Sequence, residues 1–305
     1  MNIIKYSGGK IAEPGIYAGV PFDAYHGDLC QGPSVSSSGL RTIEAKTPLH
    51  YYATSYLNPN RIPDEPKDHF SLGRAAHLLL LGESGFREQF SVRPEQWSDW
   101  RTKDAQTWRK QQHLIGRDVL TPADLETIRG IAASLGGHPL VKSGVLHGLV
   151  EHTVVAKDAA TGVWLKCRPD VVPQADGVLV DIKTTTDASP DAIRNTVMNF
   201  GYAMQGGLAA MVMKAAIGFT VTDFVLVFIE KSPPYAVNIT PIDSEWIYWG
   251  RRQLRRAIDK FAKCVETGVW PGYEGEMTTH MPEWLRKRFE ADAAGGLIPE
   301  EEKAA

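Results

Sequence analysis

Cysteine is scarce in this chain: Cys30, Cys167 and Cys264 stand far apart among 305 residues. That spacing excludes a disulfide framework and a CxxC metal or redox pair, argues against a cysteine-ligated iron–sulfur cluster, and makes a reducing cytoplasm the expected compartment. Neither sign of charge dominates, since 33 Lys and Arg oppose 36 Asp and Glu for a formal net charge of −3. A protein that holds nucleic acid by bulk charge is excluded; a local basic groove is not. Long apolar runs are missing too. The longest, Leu208 to Ile217, is interrupted by Lys214 and is too short to cross a bilayer, and Met1-Asn2-Ile3-Ile4-Lys5 does not read as a signal peptide. There is no internal repeat, and no GxxxxGK[ST] loop that would mark an NTPase motor.

What is present changes character along the chain. Residues 1–35, rich in Gly, Pro and Tyr, read as an extended arm or loop. Ser36-Ser37-Ser38 offers N-caps to a helix over Gly39–Ala45, and Thr47-Pro48 opens a second helix, with Pro where its missing N–H costs nothing. Asn58–Pro66 is a Pro-rich linker. Asp68–Leu81 has the apolar spacing of a helix, with Gly82 as its stop. Ser84–Val119, polar and carrying Trp97, Trp100 and Trp108, reads as irregular helix. Thr121-Pro122 caps a clearer helix that ends at Gly136-Gly137.

Beyond this helical part (36–147) the pattern becomes β-rich. Leu149–Lys157, Val163–Val172 and Val178–Thr184 are β-branched runs separated by two turn sequences, a three-strand meander. Ser189-Pro190 opens a helix to Ile217 with a break at Asn199–Gly201. Phe224–Lys231 and Ala236–Pro241 read as strands, and Asp243 caps a long helix to Thr267. The tail, 291–305, has too few apolar groups to fold and is expected to be disordered.

Chemistry concentrates where the strands are. Arg168-Pro169-Asp170 is followed, ten residues on, by Asp181-Ile182-Lys183. Side chains alternate faces along a strand, so Asp181 and Lys183 share one side. If both hairpins are regular, Asp170 lies opposite Asp181 and Glu151 opposite Asp170, so three acids sit side by side; a β-bulge in either hairpin would displace one. Like charges set across neighbouring strands oppose folding. A hard divalent cation relieves that repulsion, and Mg²⁺ takes one or two carboxylates, waters and substrate phosphate as its ligands. Lys183 beside such an ion could lower the pKa of a bound water or hold a phosphate, which together meets the needs of phosphodiester hydrolysis. The plainer reading makes these acids solvent-side residues of a half-exposed sheet, with Lys183 pairing one of them. Val178–Ile182 is apolar on both sides of Asp181, the pattern of a strand covered on both faces, where a carboxylate needs a partner.

Pro169-Asp170 with Asp181-Ile182-Lys183 resembles the PD-(D/E)xK nuclease pattern, and residues from about 15 to 270 resemble the RecB/RecE branch of that superfamily. Gly73-Arg74-Ala75-Ala76-His77 looks like the helix that contributes a histidine metal ligand there, and Tyr202-Ala203-Met204-Gln205 like its Tyr/Gln helix. Tyr25-His26, Ser36-Ser37-Ser38-Gly39-Leu40 and Thr47-Pro48 look like the start of RecE-type, exonuclease VIII-like phage proteins. The resemblance implies an α/β fold with a restriction-endonuclease-like core: a mixed central sheet flanked by helices, with N-terminal helical additions. It implies a single nuclease domain over 36–290, with its core in 148–270. It further implies a Mg²⁺-dependent exodeoxyribonuclease, Mn²⁺ substituting, that works on duplex DNA from an end, 5′ to 3′, and leaves a 3′ single strand for recombination.

On the same resemblance Asp170, Asp181, His77 and the Ile182 carbonyl hold metal, Lys183 activates the water, and Gln205 fixes Lys183 or a phosphate. Tyr202 and Gly73 face the substrate, while Glu151, placed by the hairpin register and not by the resemblance, is a second-metal or water-orienting acid. Each keeps an alternative: His77 as a core histidine, Gln205 and Tyr202 as packing residues, Glu151 as a plain strand-start charge. Relatives that form rings around DNA make a homo-oligomer and a single-strand annealing partner part of the expectation, in the cytoplasm of a bacterial host. Competing functions are a RecB-type nuclease of other polarity or a structure-specific endonuclease, a DNA-end-binding protein without catalysis, and a metal hydrolase of small phosphoesters. Arg251, Arg252, Arg255, Arg256, Lys260 and Lys263 on the last long helix read as a solvated face or as a track for a DNA backbone. The three tryptophans read as core packing or as base-stacking wedges.

Overall fold

The structure is a computed structural model that describes residues 1–61, 75, 86–144, 146–172 and 177–297. Apart from Ala75, which is helical and buried, the helix expected over Asp68–Leu81, Gly73 and His77 included, lies outside the described residues. So does most of the turn before Val178. The chain divides into two compact units, Met1–Gly272 and Tyr273–Ala305. Among the described residues the second unit contains one helix, Glu283–Ala294, whose last four residues fall in the stretch expected to be disordered.

In chain order the elements of the first unit begin with β1 (Ile3–Lys5), β2 (Gly15–Ala18), α1 (Phe22–His26), β3 (Ser34–Ser36), α2 (Ser37–Ala45) and α3 (Pro48–Thr54). Then come α4 (Phe86–Gln89), β4 (Phe90–Val92), α5 (Lys103–Leu114), β5 (Asp118–Leu120), α6 (Pro122–Gly137) and α7 (Pro139–Lys142). The β-rich part holds β6 (Leu149–Val150), β7 (Thr153–Lys157), β8 (Trp164–Cys167), β9 (Val171–Val172) and β10 (Val178–Thr185). It is completed by α8 (Pro190–Phe200), α9 (Tyr202–Ile217), β11 (Asp223–Glu230), β12 (Val237–Ile242) and α10 (Ser244–Thr267).

Two five-stranded sheets carry the fold, in the orders β1-β2-β7-β8-β3 and β12-β11-β10-β9-β6. The expected single meander is therefore corrected. Leu149–Lys157 and Val163–Val172 do form one hairpin, but it bends and divides between the sheets. Its register runs unbroken through the bend: Leu149 pairs with Val172 on one side and Val154 with Cys167 on the other. The bend falls at Glu151, which adopts φ +52°, and at Pro169, which has no N–H to give a sheet. The N-terminal 35 residues are likewise no loose arm. They supply β1, β2, most of β3 and α1, with β2 antiparallel to β7 and β3 parallel to β8. Ser84–Val119 contains a short parallel pair, β4 with β5, besides helix. Its Trp97, Trp100 and Trp108 pack on one another, with the Arg93 and Arg109 guanidiniums 5.2 and 5.1 Å from the Trp100 ring. Those ring faces are taken by neighbours, which favours the packing reading.

Both faces of the second sheet are covered, as the apolar run Val178–Ile182 requires. Leu179, Phe224, Leu226 and Phe228 join the core built by α2, α8, α9 and α10, while Val180, Ile182, Val225 and Val227 meet Ile131 and Leu135 of α6. α6 is fixed at its start by a capping box between Thr121 and Asp124. Two glycines place α9. Gly201, at φ +64° and ψ +38°, ends α8 and starts α9 in the left-handed region that only glycine enters without strain. Gly250 lets α10 touch α9, because a Cβ there would stand 2.6 Å from the Ala203 backbone.

Candidate active site

β10 carries a carboxylate and an ammonium side by side. Asp181 is 2% exposed, and its carboxylate pairs with the Lys183 ammonium two residues on, whose side chain is 22% exposed. The alternation of a strand is enough to explain this pairing. Asp170 precedes β9, which is antiparallel to β10 with Val171 opposite Val180. Its carboxylate, 6% exposed, accepts the Ile182 N–H through Oδ2 at 2.5 Å. Asp170 and Asp181 are thus anchored on adjoining chains, as the hairpin register requires. Burial pulls the Lys183 ammonium toward lower pKa, but Asp181, Asp170 and the Tyr202 ring outweigh it and hold the group above its ordinary value.

α9 contributes from its first turn. Gln205 donates from Nε2 to Asp181 Oδ1 at 2.6 Å. The Tyr202 ring lies 5.0 Å from the Lys183 ammonium and 5.5 Å from the Arg41 guanidinium, so two cations share one π-system. The structure therefore brings together Asp170, Asp181, Lys183, Gln205 and Tyr202. Glu151 is the exception among the described acids. Its N–H donates to the Asp170 carbonyl at 3.1 Å, so the backbone register is the expected one. No group of three His, Cys, Asp or Glu side chains close enough to hold an ion exists among the described residues, so Glu151 does not complete a triad. The reason is local: its positive φ turns the chain out of one sheet toward the other, and the regular alternation on which the expectation rested stops there.

The pocket beside Asp181 holds residues whose role the sequence did not single out. Its volume is about 130 Å³, and Ser36, Ser37, Ser38, Arg41, Arg168 and Tyr25 line it together with Asp181 and Gln205. The serines begin α2, as expected. Their hydroxyls, however, do not cap it, because Ser36 Oγ meets Ser38 Oγ at 3.0 Å instead. The first-turn amides of any helix lack intrahelical partners and carry its positive end. Ser37 Oγ, Arg41 Nε and Gln205 Oε1 are shielded from solvent and find no hydrogen-bond partner among the described residues. Burial draws Arg41 below its usual pKa, while its other nitrogen, Nη1, donates to the Phe200 carbonyl at 2.6 Å. A serine followed one turn later by arginine at a helix start was the available signal. It was obscured because serine at that place has an ordinary capping reading.

The remaining wall is structural. Arg168 donates to Thr153 and to the Val20 carbonyl and stands 4.5 Å over the Tyr25 ring, which fastens the N-terminal strands to the site. Burial pushes the Cys167 thiol up to about 12, so this pocket residue is a neutral thiol and not a nucleophile near neutral pH.

Comparisons with known proteins agree with this architecture. A family model described as a PDDEXK-like domain of unknown function (DUF3799) matches residues 36–280. No curated protein matches the chain. Among solved structures, a protein from Eubacterium rectale described by inference as an exonuclease is similar at a TM-score of 0.55 and 13% identity, over 83% of this chain and 91% of that one. LHK-Exo, an alkaline exonuclease from Laribacter hongkongensis solved with dAMP, aligns at a TM-score of 0.29 and 12% identity, over 66% of this chain and 95% of that one. With a family model spanning most of its length, over strands and helices that set Asp170, Asp181 and Lys183 in one place, the chain belongs to the PDDEXK-like DUF3799 family and has its restriction-endonuclease-like α/β fold.

Proposed function

We propose that the chain is a divalent-metal-dependent exodeoxyribonuclease that degrades linear duplex DNA from its ends, 5′ to 3′, and leaves 3′ single strands for recombination. The observation that carries this reading is the buried pair Asp170 and Asp181 with the Lys183 ammonium between β10 and α9. Two carboxylates from adjoining strands converge in a poorly solvated place, and buried carboxylates set together favour a cation and its phosphate. The donors are oxygens, the two carboxylates and the Ile182 carbonyl, which suit Mg²⁺ with Mn²⁺ as substitute. His77, the further ligand implied by the resemblance, lies outside the described residues, as does Gly73. A cation bound there would act as a Lewis acid on the phosphate and make its water more acidic.

The chain's own groups divide the remaining work. Lys183, held as an ammonium, donates to the water or to a phosphate oxygen and stabilises the charge that develops; it is not a general base. Gln205, with Nε2 committed to Asp181, presents Oε1 to accept a hydrogen bond and orient the attacking water. The α2 amides, Ser37 Oγ and Arg41 Nε form a cradle for a phosphate. The cavity opens to solvent and has room for a phosphate group. A terminal phosphate carries more charge than a diester, and that difference favours ends over internal sites. Tyr202 and the cradle would face substrate, and Glu151 stays outside the acid pair. A homo-oligomeric ring and a single-strand annealing partner complete the proposal. No helix among the described residues is long and apolar enough to cross a membrane.

The test uses linear duplexes carrying a 5′-phosphate or a 5′-hydroxyl and labelled at either end, with Mg²⁺ or EDTA. Mononucleotides should appear from 5′ ends, faster with the phosphate, and only with the metal. Arg41→Ala should lower the 5′-phosphate rate to that of the hydroxyl substrate. Lys183→Ala should abolish cleavage while retaining DNA binding. Nicking of closed circles would assign an endonuclease instead, and end binding without any cleavage would assign a binding protein.

A further inference from the structure

The basic run on α10 separates into two parts. Arg255 pairs with Asp158 at 2.8 Å and with Asp259 at 2.7 Å, and Arg256 and Lys260 turn onto Glu44 of α2. Those cations are committed to the fold. Arg251 and Arg252, a turn earlier, are exposed and have no carboxylate partner among the described residues. Beside them Tyr248 and Trp249 are 52% and 55% exposed, with ring centres 5.2 Å apart at 78°. The Arg252 guanidinium stands 5.8 Å from the Tyr248 ring and 5.9 Å from the Trp249 ring, and its Nη1 donates to the Tyr248 hydroxyl at 3.3 Å. The opposite face of the same helix buries Leu254, Ile258 and Phe261 completely, so folding does not require these two aromatics outside.

Neighbouring contacts locate this cluster. Glu44, near the end of α2, pairs with Arg256; Arg41, three residues earlier, reaches Phe200 and Gly201; and Gly250 abuts Ala203. Helices α2 and α10 therefore run side by side in the same sense, and the turn from Tyr248 to Arg252 lies at the end where Ser37 lines the catalytic pocket.

We infer that Tyr248, Trp249 and Arg252, with Arg251, form a platform for single-stranded DNA, the strand that escapes hydrolysis in the adjacent pocket. Aromatic faces stack on bases of any sequence, and arginines beside them meet the phosphates. The uncompensated positive charge favours a polyanion over an apolar protein partner. The inference rests on DNA being the substrate, yet it can fail independently of that reading.

The experiment is fluorescence anisotropy of a labelled oligo-dT with the full-length protein in EDTA, across a salt series, with circular dichroism to confirm folding. Wild type should bind. Trp249→Ala and Arg252→Ala should each weaken binding about tenfold at fixed salt, or about 1.4 kcal/mol. Arg252→Ala should also reduce the salt slope by about 0.7. Trp249→Phe should restore most of the affinity, and Lys263→Ala on the same helix should change nothing. Unaltered binding by folded Trp249→Ala, or no binding by wild type, overturns the platform. So does a change in sedimentation without a change in affinity, which would make the patch a contact between copies. If wild type digests linear duplex while these variants bind as it does, the nuclease reading stands without the platform. Platform-dependent binding by a protein that cuts nothing gives the reverse.

Discussion

Lys183→Met keeps most of the side-chain stem and removes the charge that faces Asp181. The Asp181 carboxylate is 2% exposed and keeps Gln205 Nε2 at 2.6 Å as a donor. Removing one member of a buried pair costs about 3–5 kcal/mol, because the other charge stays buried. The Lys183 side chain is still 22% exposed, so solvent screens part of the interaction and a loss of about 3 kcal/mol is expected. Urea unfolding in EDTA at neutral pH measures it. The double variant Lys183→Met with Asp181→Asn should return to within about 1 kcal/mol of wild type, since its pair is neutral. Mg²⁺ at one hundred times its dissociation constant should stabilise wild type by about 2.7 kcal/mol, and Asp181→Asn should lose that gain. A loss below about 1 kcal/mol for Lys183→Met, or equal Mg²⁺ stabilisation of Asp181→Asn, would refute the argument from buried charge.

Asp170→Asn retains an oxygen for the Ile182 N–H, so its unfolding free energy should stay within about 1 kcal/mol of wild type while DNA cleavage falls at least about 100-fold. Gly250→Ala would place a Cβ 2.6 Å from the Ala203 carbonyl and should destabilise the fold by about 1–3 kcal/mol, read from the urea midpoint. Lys166, buried against the Tyr25 and Tyr56 rings, has its pKa lowered by burial to about 8 from 10.5. Between those values the unfolded chain binds the extra proton, so stability rises with pH there. Against Lys166→Met, wild type should gain up to about 3 kcal/mol between pH 7.5 and 10.5. A flat difference would show that Lys166 stays charged inside the fold.

Whatever depends on neighbours in the chain was legible without coordinates. Asp181 and Lys183 share a face because a strand repeats every two residues. Asp170 reaches the strand next to Asp181 because the antiparallel register sets Val171 opposite Val180. Thr121 with Asp124, Asp243 with Trp246, and Gly201 between two helices follow from the unmet hydrogen bonds at helix ends. Glu151 marks the limit of such reasoning, because alternation holds only while the strand remains regular and the hairpin bends there into a second sheet. Packing decided the rest. Arg41 comes to the pocket from a helix some 140 positions before Asp181. Of six cations on one helix, only contact with Asp158, Asp259 and Glu44 determined which were neutralised and which were left facing solvent. Periodicity fixes the direction of a side chain within its own element. What it meets there depends on how distant elements bury their apolar faces together, and spacing along the chain does not encode that.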